Sequence, residues 1–226
     1  MKLNKIIKIY ELNEEERKRV LEFLKKEVLN GKVLIVGTDT LYGISANALD
    51  EKAVRRVYEI KRRDFNKPLS ICIKDKEEIE KYAYVNDLAK KIINKFLPGP
   101  LTIILKKKPT IPDIVAKDYI GIRIPDEPII RELSIVPLTT TSANISGKES
   151  PTCVDEIDEE ILKKVDYVID IGKCKYSKPS TIIKIENNKV IPIREGAIPI
   201  SKIHEVLTTK ESNEYKHQGK RLLMKN

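Results

Sequence analysis

Two residues apart in the chain, Lys61 and Arg63 form a basic run with Arg62, and Lys67 follows a few residues on. In a regular helix, side chains two positions apart point about 200° from each other. Gripping one ligand together therefore requires Lys61 and Arg63 to lie past a helix end. In a loop they could converge with Lys67 on a triphosphate, arginine as a bidentate fork and lysine as a point charge. A solvated basic loop is the competing reading. Two hydroxyl-rich segments accompany them, at Thr38-Asp39-Thr40 and Thr139-Thr140-Thr141-Ser142-Ala143-Asn144. Hydroxyls and a carboxamide bind phosphate oxygens or a nucleotide without adding charge, although Asx and Ser turns use the same residues. Arg123 stands in the otherwise apolar run Gly121-Ile122-Arg123-Ile124-Pro125. An unpaired guanidinium is costly to bury, so Arg123 calls for a carboxylate from the protein or a ligand.

Other chemistries have few parts available. The two histidines, His204 and His217, are near the C-terminus, which leaves little for a histidine triad or multi-histidine metal centre. Cys72, Cys153 and Cys174 form no CxxC pair, so a disulfide framework or cysteine-rich zinc site is not expected. Neither a GxxxxGK[ST] loop nor a GxGxxG fingerprint is present. The residues alone define a basic, hydroxyl-lined pocket for an anionic ligand.

Periodicity supplies the elements that would carry this pocket. Asn13 and Glu16 resemble a capping box, and Val20, Leu21, Leu24 and Val28 form one helical stripe before Gly31. Val33 to Val36 reads as a buried strand running into the first hydroxyl segment, where α/β sheets often present ligands. A helix is expected from about Asp50 to Ile60, and strands at Leu69–Ile73, Leu101–Leu105, Ile120–Ile124 and Tyr167–Ile171. Thr181–Ile185 and Val190–Ile193 flank Asn187-Asn188 as a hairpin. Helices and strands alternate without a repeat or a linker, so one α/β domain is expected.

The 226 residues carry a net charge of +9, with 41% hydrophobic and 34% charged residues. Lysine and glutamate are interleaved, as in Glu14 to Arg19, which fits a solvated helix surface. No apolar run approaches the roughly 18 residues of a membrane span, and the first ten residues lack a secretory pattern. A cytoplasmic location follows. The segment 208–226 is expected to be a flexible basic tail after a catalytic unit spanning 1–207.

In one order, the chain contains Thr38-Asp39-Thr40-Leu41-Tyr42-Gly43, Lys61-Arg62-Arg63 with Lys67-Pro68-Leu69, Pro98-Gly99-Pro100-Leu101-Thr102, Arg123-Ile124-Pro125, Ser142-Ala143-Asn144-Ile145-Ser146-Gly147, Ser150-Pro151-Thr152, Pro179-Ser180-Thr181-Ile182 and Arg194-Glu195-Gly196. These motifs resemble the YrdC family of threonylcarbamoyl-AMP synthases, and the resemblance runs from about residue 5 to 207. It implies a twisted mixed sheet with flanking helices around a large basic cavity. It also implies ATP binding by Lys61, Arg63, Lys67, Ser142, Asn144, Ser150 and Arg194, with Lys61 and Arg63 catalytic. Threonine falls to Thr40, Arg123 and Ser180. Many members carry Asn where this chain has Lys67, His where it has Cys72, and Pro where it has Glu195; Cys72 is therefore left out of the threonine site. The longer members' additional C-terminal domain is not expected.

The chemistry the resemblance implies is capture of bicarbonate or CO₂ by threonine's amine, attack of the new carboxylate on the α-phosphate of ATP, and release of pyrophosphate. Positioned cations and Mg²⁺ bound through the phosphates would suffice. The product would pass to downstream threonylcarbamoyl-transferase proteins for tRNA modification. Two alternatives are an RNA-binding module with a YrdC-like basic cavity, and another carbamoyl-transfer enzyme.

Overall fold

The first helix starts where its capping chemistry places it. In the computed structural model, which describes residues 5–208, Asn13 accepts from the Glu16 amide and Glu16 reaches back to the Asn13 amide. Helix α1 (Glu14–Leu29) then buries Val20, Leu21, Leu24 and Val28. Helix α2 (Glu51–Lys61) is capped by Asp50, which accepts from the Lys52 and Ala53 amides. The remaining helices are α3 (Ile79–Tyr82), α4 (Asp87–Phe96), α5 (Pro128–Leu133), α6 (Glu159–Lys164) and α7 (Ile200–Thr208).

Ten strands form one mixed sheet: β1 (Ile6–Lys8), β2 (Leu34–Gly37), β3 (Tyr42–Ser45), β4 (Ser70–Cys72), β5 (Leu101–Lys106), β6 (Tyr119–Arg123), β7 (Leu138–Ser142), β8 (Tyr167–Asp170), β9 (Thr181–Glu186) and β10 (Lys189–Arg194). Their order across the sheet is β1-β8-β2-β3-β7-β4-β6-β5-β9-β10. Pairings β1/β8, β2/β8, β4/β6 and β5/β9 are parallel; β2/β3, β3/β7, β4/β7, β5/β6 and β9/β10 are antiparallel. The β9–β10 hairpin turns through Asn187 and Asn188, both at positive φ, as a two-residue turn between right-twisted strands requires.

Side-chain alternation divides the sheet into two unlike faces. Ile35, Tyr42, Ile44, Ile71, Ile103, Ile120, Ile122 and Ile183 enter one large core together with α2 and α4. The opposite face is shared. On it, Leu34, Val36, Cys72 and Leu138 join α1 and α5 in a second core, while farther along Gly43, Ser70, Thr102, Arg123, Thr140 and Ile182 leave the sheet open to a cavity. No helix among the described residues is long and apolar enough to cross a membrane. The tail expected at 208–226 lies, from residue 209 onward, outside the described residues.

Candidate active site

The cavity measures about 280 Å³, close to the lower end of the ~300–1,000 Å³ common for small-molecule sites. Its floor is the polar sheet face. Gly121 makes that floor possible, since a Cβ there would collide with Ser70 Oγ and lie 3.3 Å from Thr102 Cγ2. Seven of the expected site residues line this single cavity: Thr40, Arg63, Arg123, Ser142, Ser150, Ser180 and Arg194. Lys61, Lys67 and Asn144 do not.

The basic run differs from the sequence expectation in one respect. Lys61 is the last residue of α2 and does not lie past it. Arg62 caps the helix in the left-handed region, at φ 50° and ψ 43°, and this reversal sends Arg63 toward the cavity. Lys61 points the other way and is 2% exposed. Its ammonium donates to Ser142 O, to Asn144 O at 2.7 Å and to Asn144 Oδ1 at 3.1 Å. The Lys61 carbonyl accepts from the Ser146 amide at 3.1 Å. Lys61 therefore fastens the segment 142–146 from behind the cavity wall. Burial, reinforced by the charge of Arg63, pulls its pKa down to about 7.

Arg63 is half-buried at the mouth, where its Nε and Nη2 donate to the carbonyls of Lys67 and Pro68 at 3.2 and 2.9 Å. The Lys67 side chain is exposed and outside the lining, so its visible contribution is that backbone carbonyl. On the segment fastened by Lys61, Ser142 donates to Asn144 Oδ1, and Asn144 Nδ2 donates to Lys148 O. Asn144 thus shapes the wall while Ser142 lines the cavity.

Across the cavity, Thr38 folds the β2–β3 connection on itself. Its hydroxyl donates to Leu41 O at 2.7 Å and accepts from the Thr40 and Leu41 amides. The Thr40 hydroxyl lies 3.1 Å from that of Thr38, a contact in which either can donate, and Thr40 lines the cavity. Ser180 touches Thr102 Oγ1 at 2.8 Å, and its carbonyl accepts from Arg194 Nε and Nη2 at 3.2 and 2.8 Å. Partial desolvation, and then the charge of Arg123, lower the Arg194 pKa; the same two effects favour an anion between these arginines.

The sequence left open whether a protein group or a ligand would pair with Arg123. The structure pairs it with Asp39, Nη2 to Oδ1. Asp39 carried no role in the sequence reading, although a lone carboxylate inside a hydroxyl run was the available signal. Ser70 and Thr102 are further lining residues that received no role, and Thr140 and Thr141 line the cavity from the second hydroxyl-rich segment. Cys72, kept out of the site, is fully buried in the second core beside Ser134, and burial pushes its thiol up to about 12. Glu195, another departure, accepts from the Ile200 amide at the start of α7.

A family model of the Sua5, YciO and YrdC proteins, described as "Telomere recombination", matches residues 26–196. The chain belongs to the Sua5/YciO/YrdC family. It is 88% identical over 200 residues to a Methanocaldococcus jannaschii protein inferred to be a threonylcarbamoyl-AMP synthase, covering 88% of this chain and 97% of that one. It is 35% identical over 208 residues to the threonylcarbamoyl-AMP synthase of Pyrococcus abyssi, covering 89% of this chain and 60% of the relative. The crystal structure of P. abyssi Sua5 complexed with L-threonine has a TM-score of 0.81 at 33% identity, covering 92% of this chain and 61% of that one. The chain thus spans about three fifths of the length of these Pyrococcus relatives. As in this family, its fold is a twisted mixed sheet with flanking helices.

Proposed function

We propose that the cavity joins L-threonine, bicarbonate and ATP into L-threonylcarbamoyladenylate and releases water, from the capture of bicarbonate by the amine, and pyrophosphate, a nucleotidyl transfer that serves threonylcarbamoyladenosine modification of tRNA. One observation carries this reading: Arg63, Arg123 and Arg194 meet the hydroxyls of Thr40, Ser142, Ser150 and Ser180 on one cavity. The likeness to a Sua5 structure that holds L-threonine supports it. Arg63, Arg194, Ser142 and Ser150 bind the triphosphate. Lys61 and Asn144 hold the Ser142 wall from behind. Lys67 adds charge to the approach. Threonine lies against Thr40, Arg123 and Ser180, with Arg123 on its carboxylate.

No protein base is required once the amine has captured bicarbonate, because the new carboxylate is already the nucleophile. The chain's task is to bring two anions together and to balance the charge that spreads onto the leaving pyrophosphate. Among the described residues no group of three or more His, Cys, Asp or Glu is placed to hold a metal. Mg²⁺ arriving on the phosphates would supply charge neutralisation there. Serine is the hard competitor, because the methyl it lacks contributes only about 1–3 kcal/mol in a fitted pocket.

The proposed setting is the cytoplasm, with residues 1–207 as the catalytic unit and downstream threonylcarbamoyl-transferase proteins receiving the adenylate. Pyrophosphate release is expected only when ATP, threonine and bicarbonate are all present. Release that ignores threonine would sink the reading. Salt-sensitive RNA binding without any release would favour the RNA-binding alternative.

A further inference from the structure

Asp39 sits in the turn between β2 and β3, and its side chain is 0% exposed while that of Arg123 is 7% exposed. Burying an ion pair strips water from both partners, and a purely structural pair recovers the cost through complete hydrogen bonding. This pair is incomplete. It is made by a single bond, Nη2 to Oδ1, and among the described residues neither Arg123 Nε nor Asp39 Oδ2 has a protein partner. A two-pronged bridge would commit one whole edge of the guanidinium to Asp39. The single bond instead holds the group by Nη2 and leaves Nη1 uncommitted, while the unpartnered Nε is itself buried.

The turn is also tied to the opposite wall. The Asp39 carbonyl accepts from the Tyr176 amide at 2.8 Å, in the segment that leads to Ser180. Asp39 thus links the Thr40 turn, the end of β6 at Arg123, and the approach to Ser180, which are the three places assigned to the amino acid. Arg123 lines the cavity and Asp39 does not, so any effect of Asp39 on a ligand passes through Arg123.

We propose that Asp39 is the positioning residue of the amino-acid subsite, holding Arg123 by one nitrogen so that its remaining donors meet the α-carboxylate of the bound amino acid. The inference rests on the reading that Arg123 takes that carboxylate. Asp39 bonds to Arg123 and to the Tyr176 amide and to none of the residues assigned to the triphosphate, so its loss should act on threonine before ATP.

The test is steady-state pyrophosphate release by wild type, Asp39→Ala, Asp39→Asn, Asp39→Glu, Arg123→Ala and the Asp39→Ala/Arg123→Ala double variant, with thermal unfolding of each. Misorienting a group that grips substrate can cost orders of magnitude, so Asp39→Ala is expected to raise the KM for threonine about 10-fold or more while the KM for ATP stays within about 2-fold. Asp39→Asn keeps an oxygen acceptor for Nη2 and should recover most of the loss. The double variant should be no worse than Arg123→Ala, as expected for two residues acting in series. Equal changes in both KM values, no recovery in Asp39→Asn, or full additivity with Arg123→Ala would each overturn the proposal. Should Asp39→Ala fail to fold, Asp39→Glu carries the test: its longer carboxylate displaces Arg123 and raises the threonine KM alone, and an unchanged value refutes the idea. The two readings fail differently. If Arg123→Ala leaves the threonine KM unchanged, the assignment of Arg123 falls; if it raises that KM while no Asp39 variant does, only the role of Asp39 falls.

Discussion

The two faces of the central strands obey opposite rules. On β6, Ile120 and Ile122 are fully buried in the main core, while the intervening Gly121 and the terminal Arg123 belong to the cavity face. Strand β5 repeats this, with Leu101 and Ile103 in the core and Thr102 at the cavity. One face excludes water and holds the sheet together; the other keeps small and polar side chains where a third packed layer would otherwise form. A period-two strand can therefore divide stability from ligand binding at single-residue resolution. Substitutions one residue apart should register in different experiments.

Arg63 offers the largest effect on the cavity side. Among the described residues its guanidinium bonds only to the carbonyls of Lys67 and Pro68 within its own loop, so the fold does not depend on it. Arg63→Ala is expected to lower the rate of adenylate formation about 10²–10³-fold, with an unfolding midpoint close to wild type. Ile122→Ala is the mirror case. The isoleucine is 0% exposed, and its truncation should cost about 2–5 kcal/mol of stability in urea unfolding, while substrate KM values measured well below the transition stay near wild type. If Ile122→Ala alters KM as strongly as Arg63→Ala, the faces are not independent.

Gly121→Ala probes the boundary. The added methyl meets Ser70 Oγ and approaches Thr102 Cγ2, so a loss of about 1–3 kcal/mol in stability is expected together with a weakened site. A pH dependence of stability is expected at Lys61, whose burial holds its pKa at about 7. Below pH 7 the folded and unfolded chains both carry the proton, and the cost of burying it is fully present. Between about 7 and the ordinary value of 10.5, the unfolded chain binds a proton that the folded chain lacks. Stability then rises with pH, by up to ~1.4 kcal/mol per unit for one proton. Lys61→Met should flatten that rise in urea unfolding at pH 7 and pH 9. An equal slope in both proteins would show that its carbonyl partners keep Lys61 charged.

Local signals carried most of the elements. The α1 capping box, the Asn187-Asn188 hairpin and the apolar strands follow from propensity and period, and the structure contains each of them. Long-range placement was not legible. The 200° argument placed both Lys61 and Arg63 past a helix end to meet one ligand, but the left-handed Arg62, which no local pattern reveals, leaves Lys61 inside the helix and brings Arg63 alone to the cavity. Asp39 and Arg123 are far apart in the chain, and their pairing depends on a strand order, β2-β3-β7-β4-β6, that no local pattern encodes. The hydroxyls of Ser70 and Thr102 look like ordinary strand residues until the sheet brings them together beside Gly121.

The most direct test of the central claim, that the polar face of this sheet is where adenylate is made, is mass spectrometry of a reaction containing ATP, L-threonine and isotope-labelled bicarbonate. The account predicts a threonine–AMP adduct that carries one labelled carbon and is lost in Arg63→Ala. An adduct without the label, or a labelled adduct formed equally well by Arg63→Ala, would contradict it.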